Sequence, residues 1–330
     1  MKDYKYMVCT RCMTYNQKTV IEEALRGFSM QEVSFPVVYT IVDDASTDGE
    51  PELLKQWCEN NLVLDEKEVA YHKILDYGDL TFARHKEHQN LFFAILLLNF
   101  NHYSKGLFSE KLEYIKEWMS GSKYLALCEG DDYWTDSQKL QKQVDFLNSN
   151  HDYSMCFHKA KVIIESGNYS GYDNNMFDGL EEREYSGIEL ASKWQVPTAS
   201  ILYRSNIRPP QDKNLLTGDI PLVLQCAMEG RVFCFAEPMS VYRRTLGGVT
   251  LKKYTILQTI DKVLAYIKYF PPFKSVYSKV LVSIMSTMIY SKQSFQAVKL
   301  LFQRRELFRY YVAGLVKGFV LNVCRLYNKL

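Results

Sequence analysis

Several features that would place the chain in a membrane, on a secretory route or among zinc proteins are missing from its sequence. The first six residues carry charge without a following apolar segment and small-residue cleavage site, so we expect no signal peptide. No stretch reaches the roughly 18 uninterrupted apolar residues of a membrane-spanning helix. Cys9 and Cys12 have C-x-x-C spacing without a second pair, and the eight cysteines are scattered, which favours reduced thiols over zinc ligands or disulfides. We therefore expect a cytoplasmic protein.

The charge of the chain is unevenly distributed. All 330 residues together have a formal net charge of +2, but residues 251–330 carry 14 Lys and Arg side chains against only Asp261 and Glu306. Residues 1–250 have the opposite balance, with 26 basic and 36 acidic side chains. This contrast predicts a main domain over residues 1–250 and a basic, mostly helical extension over residues 251–330. No nucleic-acid partner is expected.

Apolar strand-like segments and amphipathic helix-like segments alternate in the first half of the chain, as is typical of α/β proteins. Buried strands are predicted from Tyr6 to Met13, from Phe35 to Val42 and from Lys123 to Cys128. Each strand is followed by a polar cluster: Thr14-Tyr15-Asn16, Asp43-Asp44 and Asp131-Asp132. Parallel-sheet proteins bind ligands outside the carboxyl ends of their strands, so these clusters predict a single active site.

Asp131 and Asp132 come soon after the third predicted strand. Two adjacent carboxylates repel each other and persist only when they are solvated, paired or bound to a cation. Mg²⁺ and Mn²⁺ take such oxygen ligands and keep positions open for phosphate oxygens, so the pair predicts a metal–diphosphate site. The alternative is an acidic cluster at a helix N-terminus, which the helix dipole favours without any ligand.

Asp43 and Asp44 form a second acidic pair, at the end of the second predicted strand. Such carboxylates could accept hydrogen bonds from a ribose hydroxyl or a base N–H, or could simply form a turn. Tyr15 could stack on a base or pack under the sheet. These residues by themselves leave a nucleotide site and an ordinary turn equally open.

Three segments occur together in a fixed order: Met13-Thr-Tyr-Asn16, Ile41-Val-Asp-Asp-Ala-Ser-Thr-Asp-Gly49 and Leu127-Cys-Glu-Gly-Asp-Asp-Tyr-Trp134, the last followed by Lys139-Leu-Gln-Lys-Gln143. The first resembles the P-x-Y-N-like opening of family 2 glycosyltransferases, and the second resembles their V-D-D-[GA]-S-x-D-[GN] segment. The third resembles a bacterial branch of that family, in which the D-x-D signature has the form E-G-D-D-Y-W. The resemblance covers about the first 250 residues.

The resemblance implies a GT-A fold, a Rossmann-like α/β nucleotide-binding sheet flanked by helices, and sugar transfer with inversion at the anomeric carbon. It implies a nucleotide-diphosphate sugar as donor, with a UDP-sugar expected, and a glycan or lipid-linked hydroxyl as acceptor in surface-polysaccharide or cell-envelope glycan synthesis. Mg²⁺ or Mn²⁺ would be bound by Asp132, the firmest ligand, and by Asp131, while Glu129 fills the first acidic position. The residues implied to contact the nucleotide sugar are Thr14, Tyr15, Asn16, Asp43, Asp44, Asp131, Arg243 and Arg244.

An inverting transfer also needs a general base for the acceptor hydroxyl. The family places an acid at a helix start well after D-x-D, so Asp219 in Gly218-Asp219 is implied as the catalytic base, with a structural N-cap as the alternative. The segment from Val241 to Thr250 resembles the family's Y-R-x-H-x-G-G-x-S, with Thr245 where His is common. Trp194 to Ser200 is a candidate acceptor-side loop. A Q-x-x-R-W motif is missing from the sequence, which favours single addition over polymerisation.

Residues 304–329 have apolar side chains at helical spacing among basic ones. One interpretation is a helix that packs in a core or a dimer. The other is a peripheral helix on anionic lipid, at the inner face of the cytoplasmic membrane. The apolar residues on this predicted face are Phe308, Val312, Leu315, Phe319 and Val323.

Two other functions stay open from the sequence. A nucleotidyltransferase would need a Gly-rich loop with Lys or Arg after the first strand, and Thr14 to Val20 has none. A catalytically silent nucleotide-sugar-binding protein is compatible with the departures at Glu129 and Thr245. The acids implied in metal binding and base catalysis are nevertheless all present.

Overall fold

The computed structural model describes residues 3–164, 175–212, 214–215, 219–244, 254–291 and 294–327. Packing divides the chain into two compact units. The first contains Met1–Ser186, Gln195–Arg208 and Glu229–Gly248, and the second contains Gly187–Trp194, Pro209–Met228 and Val249–Leu330. The second unit therefore combines segments from both sides of residue 250, and the domain boundary predicted there stays a prediction.

A mixed sheet forms the first unit. Its strands are β1 (Tyr6–Thr14), β2 (Val37–Asp43), β3 (Leu62–Val63), β4 (Ala70–Leu75), β5 (Gly78–His85), β6 (Leu91–Leu98), β7 (Ser122–Leu127), β8 (Tyr133–Trp134), β9 (Tyr153–Ile164), β10 (Arg183–Tyr185), β11 (Leu202–Arg204) and β12 (Arg231–Arg244). Among the described residues their order is β10-β12-β9-β11-β7-β1-β2-β6-β5-β3, with β4 paired to β5 and β8 paired to β12.

The centre of the sheet is parallel and its flanks are mixed. β7, β1, β2 and β6 run parallel, and all residues of β2 are buried. Strands covered on both faces need continuous apolar sequence, which explains the Val and Ile content of β2. On one flank β3, β4 and β5 add antiparallel pairs, while on the other β11 runs antiparallel to both β7 and β9.

Helices cover this sheet through their apolar faces. Those of the first unit are α1 (Ile21–Ser29), α2 (Glu50–Asn61), α3 (Phe108–Tyr114), α4 (Lys116–Ser120) and α5 (Lys139–Ser149). Phe28, Leu54 and Leu140, from three of these helices, share one core with Val8 and Tyr39 of the central strands. The three central strand ends are held in place by this core.

The second unit is helical. Its helices are α6 (Gly187–Ser192), α7 (Asp219–Glu229), α8 (Ile256–Tyr269), α9 (Lys274–Ile289), α10 (Ser294–Gln303) and α11 (Phe308–Tyr327). Thr255 is the N-cap residue of α8 and forms a capping box with Gln258. The Thr255 side chain accepts the backbone N–H of Gln258, and the Gln258 side chain accepts the backbone N–H of Thr255. Leu224, Ile260 and Leu281 belong to a separate apolar core. No helix in the described ranges combines the length and apolar content needed to cross a membrane.

The three predicted strands are confirmed as β1, β2 and β7. Before β7, the helical segment is interrupted at Ile115, which separates α3 from α4. The N-cap residue of α5 is Gln138, and no side chain caps the helix. Asp136 instead accepts the backbone N–H of Gln138 at 2.7 Å, forming a turn just before the helix.

Candidate functional site

The ends of β7, β1 and β2 lie side by side. Thr14 pairs with Asp43 in the β1–β2 register, and the backbone N–H of Asp44 donates to the Thr14 carbonyl at 2.9 Å. On the other side, the backbone N–H of Gly130 donates to the Met13 carbonyl at 3.1 Å. The backbone pairing thus continues past the strands and brings the three predicted polar clusters together.

Glu50, at the start of α2, connects the loops that follow β1 and β2. Its carboxylate accepts from the Thr14 hydroxyl, from the backbone N–H of Gln17 at 2.7 Å and from the Ser46 hydroxyl at 3.1 Å. The side chain is fully buried, and burial raises its pKa while these hydrogen bonds lower it. Glu50 is not among the site residues predicted from the sequence, although an acid in the first turn of a helix is a visible signal.

Two residues in these loops have left-handed backbone conformations. Asn16 has φ 53° and Ala45 has φ 61°. Asn tolerates this region, whereas Ala is strained there and needs support from its surroundings. That support comes from Ser46, whose hydroxyl accepts the Asn16 N–H at 2.8 Å, and from Asn16 Oδ1, which accepts the Thr47 N–H at 2.8 Å. The same loop leaves the Tyr15 ring 45% exposed, available for stacking.

Asp44 holds the segment that follows β6. Its carboxylate accepts the backbone N–H groups of His102 at 2.7 Å and Tyr103 at 3.0 Å, and it forms an ion pair with Lys111 at 2.9 Å. Only 2% of Asp44 is exposed. These protein contacts give Asp44 a structural role that the sequence did not reveal, and its implied nucleoside contact stays a prediction.

Asp43 is fully buried at the end of β2. One carboxylate oxygen accepts the backbone N–H of Ser46 at 3.0 Å, and the other has no hydrogen-bond partner. Burial raises the pKa of Asp43, and the Ser46 contacts lower it. Asp43 therefore shapes the turn, and its implied nucleotide contact stays a prediction.

The loop after β7 concentrates negative charge. Asp132 is 3% exposed, and one of its oxygens accepts the backbone N–H of Arg243 at 2.9 Å. Burial and the neighbouring Asp131 raise the pKa of Asp132 well above its usual range. Glu129 accepts the Met13 N–H at 3.3 Å, and burial raises its pKa to about 7. The three acids are therefore close enough to disfavour one another's ionisation.

Gly130 makes the close approach of this loop to β1 possible. A Cβ atom at this position would lie 2.8 Å from the Thr14 Cβ, closer than packed carbon atoms approach. A larger residue would push the acidic loop away from the end of β1. The glycine of the E-G-D-D segment is thus explained by packing against Thr14.

Arg243 binds the acidic loop to α1. Its Nε donates to the Asp131 carbonyl at 2.9 Å, and its guanidinium forms an ion pair with Glu23. Arg243 is 8% exposed. Nη2 of its neighbour Arg244 lies 3.5 Å from the Met176 sulfur. The contact with a diphosphate implied for both arginines stays a prediction, and Thr245 lies outside the described residues.

A buried polar network lies beneath the acidic loop. The Trp134 indole donates to the Ala199 carbonyl at 2.8 Å, and Lys139 Nζ lies 4.0 Å from the Trp134 ring centroid. Lys139 donates to Gln143 at 2.8 Å, and Gln143 donates to the Ser200 carbonyl at 2.9 Å. Burial lowers the pKa of Lys139 to about 7. The K-L-Q-K-Q segment thus connects the acidic loop to Ser200, the last residue of the predicted acceptor-side loop.

Asp219 belongs to the second unit, where it begins α7. One carboxylate oxygen accepts the backbone N–H of Ile220 at 3.0 Å, and the other accepts the Trp194 indole N–H at 3.3 Å. Trp194 therefore orients the carboxylate, which the sequence did not indicate. Gly218 lies outside the described residues, and the role of Asp219 as the base stays a prediction.

The acidic loop is compatible with a divalent metal ion that has only one or two ligands from the protein. The described residues contain no group of three or more His, Cys, Asp or Glu side chains arranged to hold a metal ion. Mg²⁺ and Mn²⁺ sites at nucleotides often use only one or two carboxylates and fill the other positions with phosphate oxygens and water. Asp131 and Asp132, adjacent and mutually repelling, match such a donor set.

A cavity of about 460 Å³ lies away from these strand ends, before β2 and β6. Polar side chains line it, among them Gln31, Gln138 and Gln141. Gln31 is bound to the Gly27 and Asp136 carbonyls, and Gln141 accepts from Ser34. The side chains that line the cavity thus connect loops to one another. The acidic residues of the candidate site are not among them.

No family model matches the chain. In sequence it is similar to uncharacterized proteins of Mycobacterium tuberculosis (Rv1520) and Mycobacterium bovis (Mb1547). It is 32% identical to each over 247 residues, which are 74% of this chain and 60% of the relative. The chain thus spans about 60% of the length of these relatives.

In structure the chain is similar to residues 1–349 of TarS from S. aureus, solved with UDP-GlcNAc, with a TM-score of 0.54 and 14% identity over 94% of this chain and 80% of that one. It is also similar to the mannosyltransferase PcManGT from Pyrobaculum calidifontis, solved with GDP-Man and Mn²⁺. There the TM-score is 0.52 and the identity 15%, over 96% of this chain and 88% of that one. The chain therefore shares its fold with these two structures. The predicted α/β fold class is confirmed, and membership of family 2 stays a prediction.

Proposed function

We propose that the chain is a metal-dependent, inverting glycosyltransferase of family 2. The observation that carries this proposal is the meeting of acidic and aromatic residues at the carboxyl ends of the adjacent parallel strands β7, β1 and β2. Ligands of open α/β sheets bind at this edge. The fold shared with a mannosyltransferase supports the same class of reaction.

On the donor side, Asp132 and Asp131 would hold Mg²⁺ or Mn²⁺. When bound, the ion would neutralise charge on the diphosphate as the bond between sugar and phosphate breaks. The exposed ring of Tyr15 would stack on the base, and the polar groups of Thr14, Asn16, Asp43 and Asp44 would shape the nucleoside site around it. Arg243 would keep the acidic loop in place, with Arg244 reaching the diphosphate.

On the acceptor side, Asp219 would take the proton from the attacking hydroxyl. Its carboxylate accepts the Trp194 indole N–H at 3.3 Å and the Ile220 N–H at 3.0 Å, and these two contacts fix its orientation. Attack opposite the departing diphosphate inverts the anomeric carbon. We propose a UDP-sugar donor and a glycan or lipid-linked acceptor of the cell envelope, with the enzyme acting on the cytoplasmic side of the membrane.

A donor-hydrolysis screen with the purified full chain tests the proposal. UDP-, GDP- and dTDP-sugars would be supplied with Mn²⁺, with Mg²⁺ and with EDTA. We expect one nucleotide class to be hydrolysed in a metal-dependent way, and Asp219→Asn to slow sugar transfer to an acceptor about a hundredfold or more, as loss of a general base does. Absence of turnover with every donor would contradict a transferase.

The ion pairs that site residues form within the protein favour one alternative function, a catalytically silent nucleotide-sugar-binding protein. Asp44 and Arg243 are occupied by Lys111 and Glu23 rather than presented to solvent. Such a protein would bind UDP or GDP in equilibrium dialysis yet hydrolyse none of the donors. The same screen, run beside a nucleotide-binding assay, therefore separates the two functions.

A further inference from the structure

The last described helix, α11, uses one face to pack against α9. Leu307, just before the helix, and Tyr310, in its first turn, are buried in the core of the second unit together with Met285. Gly314 allows the two helices to approach closely, since a Cβ atom there would lie 2.9 Å from the Ser286 backbone nitrogen. Over the part of α11 whose side chains are described, this face therefore makes contacts within the second unit.

A different face of α11 is apolar and exposed to solvent. Phe308 is 63% exposed, and Val316 is 60% exposed. Val312 and Leu315 lie on the same helical face and are also exposed, and Phe302, near the end of α10, is 83% exposed. Three residues of the predicted amphipathic face, Phe308, Val312 and Leu315, thus lie outside the core. A core role for them is excluded.

Basic residues accompany this apolar face. Arg305 and Arg309 are exposed beside it, and Lys299 and Lys317 are exposed on the same two helices. Residues 251–330 hold 14 basic side chains against two acidic ones, and one of those acids, Asp261, pairs with Arg304. A second copy would bring the same positive charge against this surface, so charge disfavours a symmetric dimer and favours an anionic occupant.

We propose that Phe302, Phe308, Val312, Leu315 and Val316, with Arg305 and Arg309, form a docking surface for an anionic lipid bilayer. Apolar side chains would enter the boundary between headgroups and acyl chains, while the arginines contact lipid phosphates. The helix would lie along the bilayer surface. The inference does not depend on transferase activity, and its test needs no sugar donor.

Vesicle sedimentation with the full chain tests the surface. Vesicles of phosphatidylcholine alone and of phosphatidylcholine with phosphatidylglycerol would be compared. We expect binding to the anionic vesicles only, and a Phe302→Ser/Phe308→Ser variant should bind them at least about tenfold more weakly. Both side chains are exposed, so the variant should fold. Ile74→Ser is the matched control, because Ile74 is 84% exposed on β4 in the first unit.

The contribution of the basic side chains to vesicle binding is tested with separate variants. Arg305→Gln and Arg309→Gln should each reduce binding to anionic vesicles about fivefold, and added salt should reduce the binding of the unchanged protein. Equal binding by the Phe302→Ser/Phe308→Ser variant and the Ile74→Ser control would overturn the proposal. So would a dimer in analytical ultracentrifugation that the phenylalanine variant abolishes, if the unchanged protein fails to bind vesicles.

Discussion

The strand-end loops of the first unit bury charged side chains, whereas the last helices of the second unit expose apolar ones. In the loops, charged side chains such as Asp44, Glu50 and Asp132 are almost fully buried and bonded to protein groups. On α10 and α11, large apolar side chains such as Phe302 and Phe308 are exposed, and basic residues lie beside them. A folded protein usually avoids both arrangements.

The buried charges and the exposed apolar groups each indicate a different kind of function. Buried charges are costly unless they are paired, and they are kept where geometry must be held for chemistry. Exposed apolar groups are costly because they attract partners, and they are kept where a partner is needed. The contrast is therefore consistent with the proposals of catalysis at the loops and association at the helices, and it predicts different responses to mutation.

Asp44→Ala should have the largest effect on stability. It leaves buried Lys111 without its partner and two backbone N–H groups, of His102 and Tyr103, without an acceptor. We expect the free energy of unfolding to fall by about 3–5 kcal/mol in urea titrations. The control is Asp79→Ala, whose partners Lys55, at 3.7 Å, and His72 are both exposed at the surface, and whose loss should cost less than about 1 kcal/mol.

Equal losses for the two variants would contradict a structural role for Asp44. Asp44→Asn sharpens the comparison, because it keeps one acceptor oxygen. If that variant is nearly as stable as the unchanged protein but has a raised KM for the donor, the nucleoside contact implied by sequence is supported. A loss of stability without a change in KM assigns Asp44 to the loop alone.

The pair between Arg243 and Glu23 should give a smaller, measurable coupling. Glu23→Gln and Arg243→Lys, made singly and together, form a double-mutant cycle in the free energy of unfolding. Because Arg243 is nearly buried and Glu23 is partly exposed, we expect a coupling of about 1 kcal/mol. Additive effects, together with a raised donor KM for Arg243→Lys alone, would instead indicate that Arg243 contacts the diphosphate.

Lys139 should give an effect of about the same size, visible in its pH dependence. Its pKa is lowered to about 7 in the folded protein, so between pH 7 and its usual pKa the unfolded chain binds more protons and stability rises with pH. Relative to Lys139→Met, the unchanged protein should gain about 1 kcal/mol from pH 7 to pH 8. The titratable groups facing Lys139, namely Cys128, Asp136, Cys156 and His158, are present in both proteins.

If the difference in the free energy of unfolding between the two proteins does not change with pH, Lys139 keeps its charge in the core. The two proteins should be compared below pH 9, because burial raises the pKa of Cys156 and its titration lies outside that window. The Gln143 side chain would lose its donor in the variant, which lowers stability by the same amount at every pH.

The sequence predicted the centre of the sheet well because β1, β2 and β7 are continuous apolar runs ending in polar residues. It did not predict β4, whose His72, Lys73 and Ile74 are exposed, so that no alternating pattern marks the strand. It predicted the amphipathic face of α11 but not the direction in which that face points. Direction depends on which residues contact α9, and Gly314 and Gly318, which lie against Ser286 and Tyr290, mark that side of the helix.

The acids of the site were visible in the sequence, but their partners were not. Glu50 contacts Thr14 across 36 residues of chain, and Glu23 contacts Arg243 across 220. An acid in the first turn of a helix is common enough that its position alone indicates no partner. Residue type and spacing can therefore locate a site, while the groups that hold it in place become visible only with the fold.

Metal binding tests the central account most directly. Mn²⁺ binding in the presence of UDP would be measured by electron paramagnetic resonance for the unchanged protein, Asp132→Ala and Asp145→Ala, whose exposed carboxylate on α5 serves as the control. We expect the unchanged protein and Asp145→Ala to bind Mn²⁺ alike, and Asp132→Ala to bind it about a hundredfold or more weakly. Equal affinity in all three proteins would contradict a metal–diphosphate site at the end of β7.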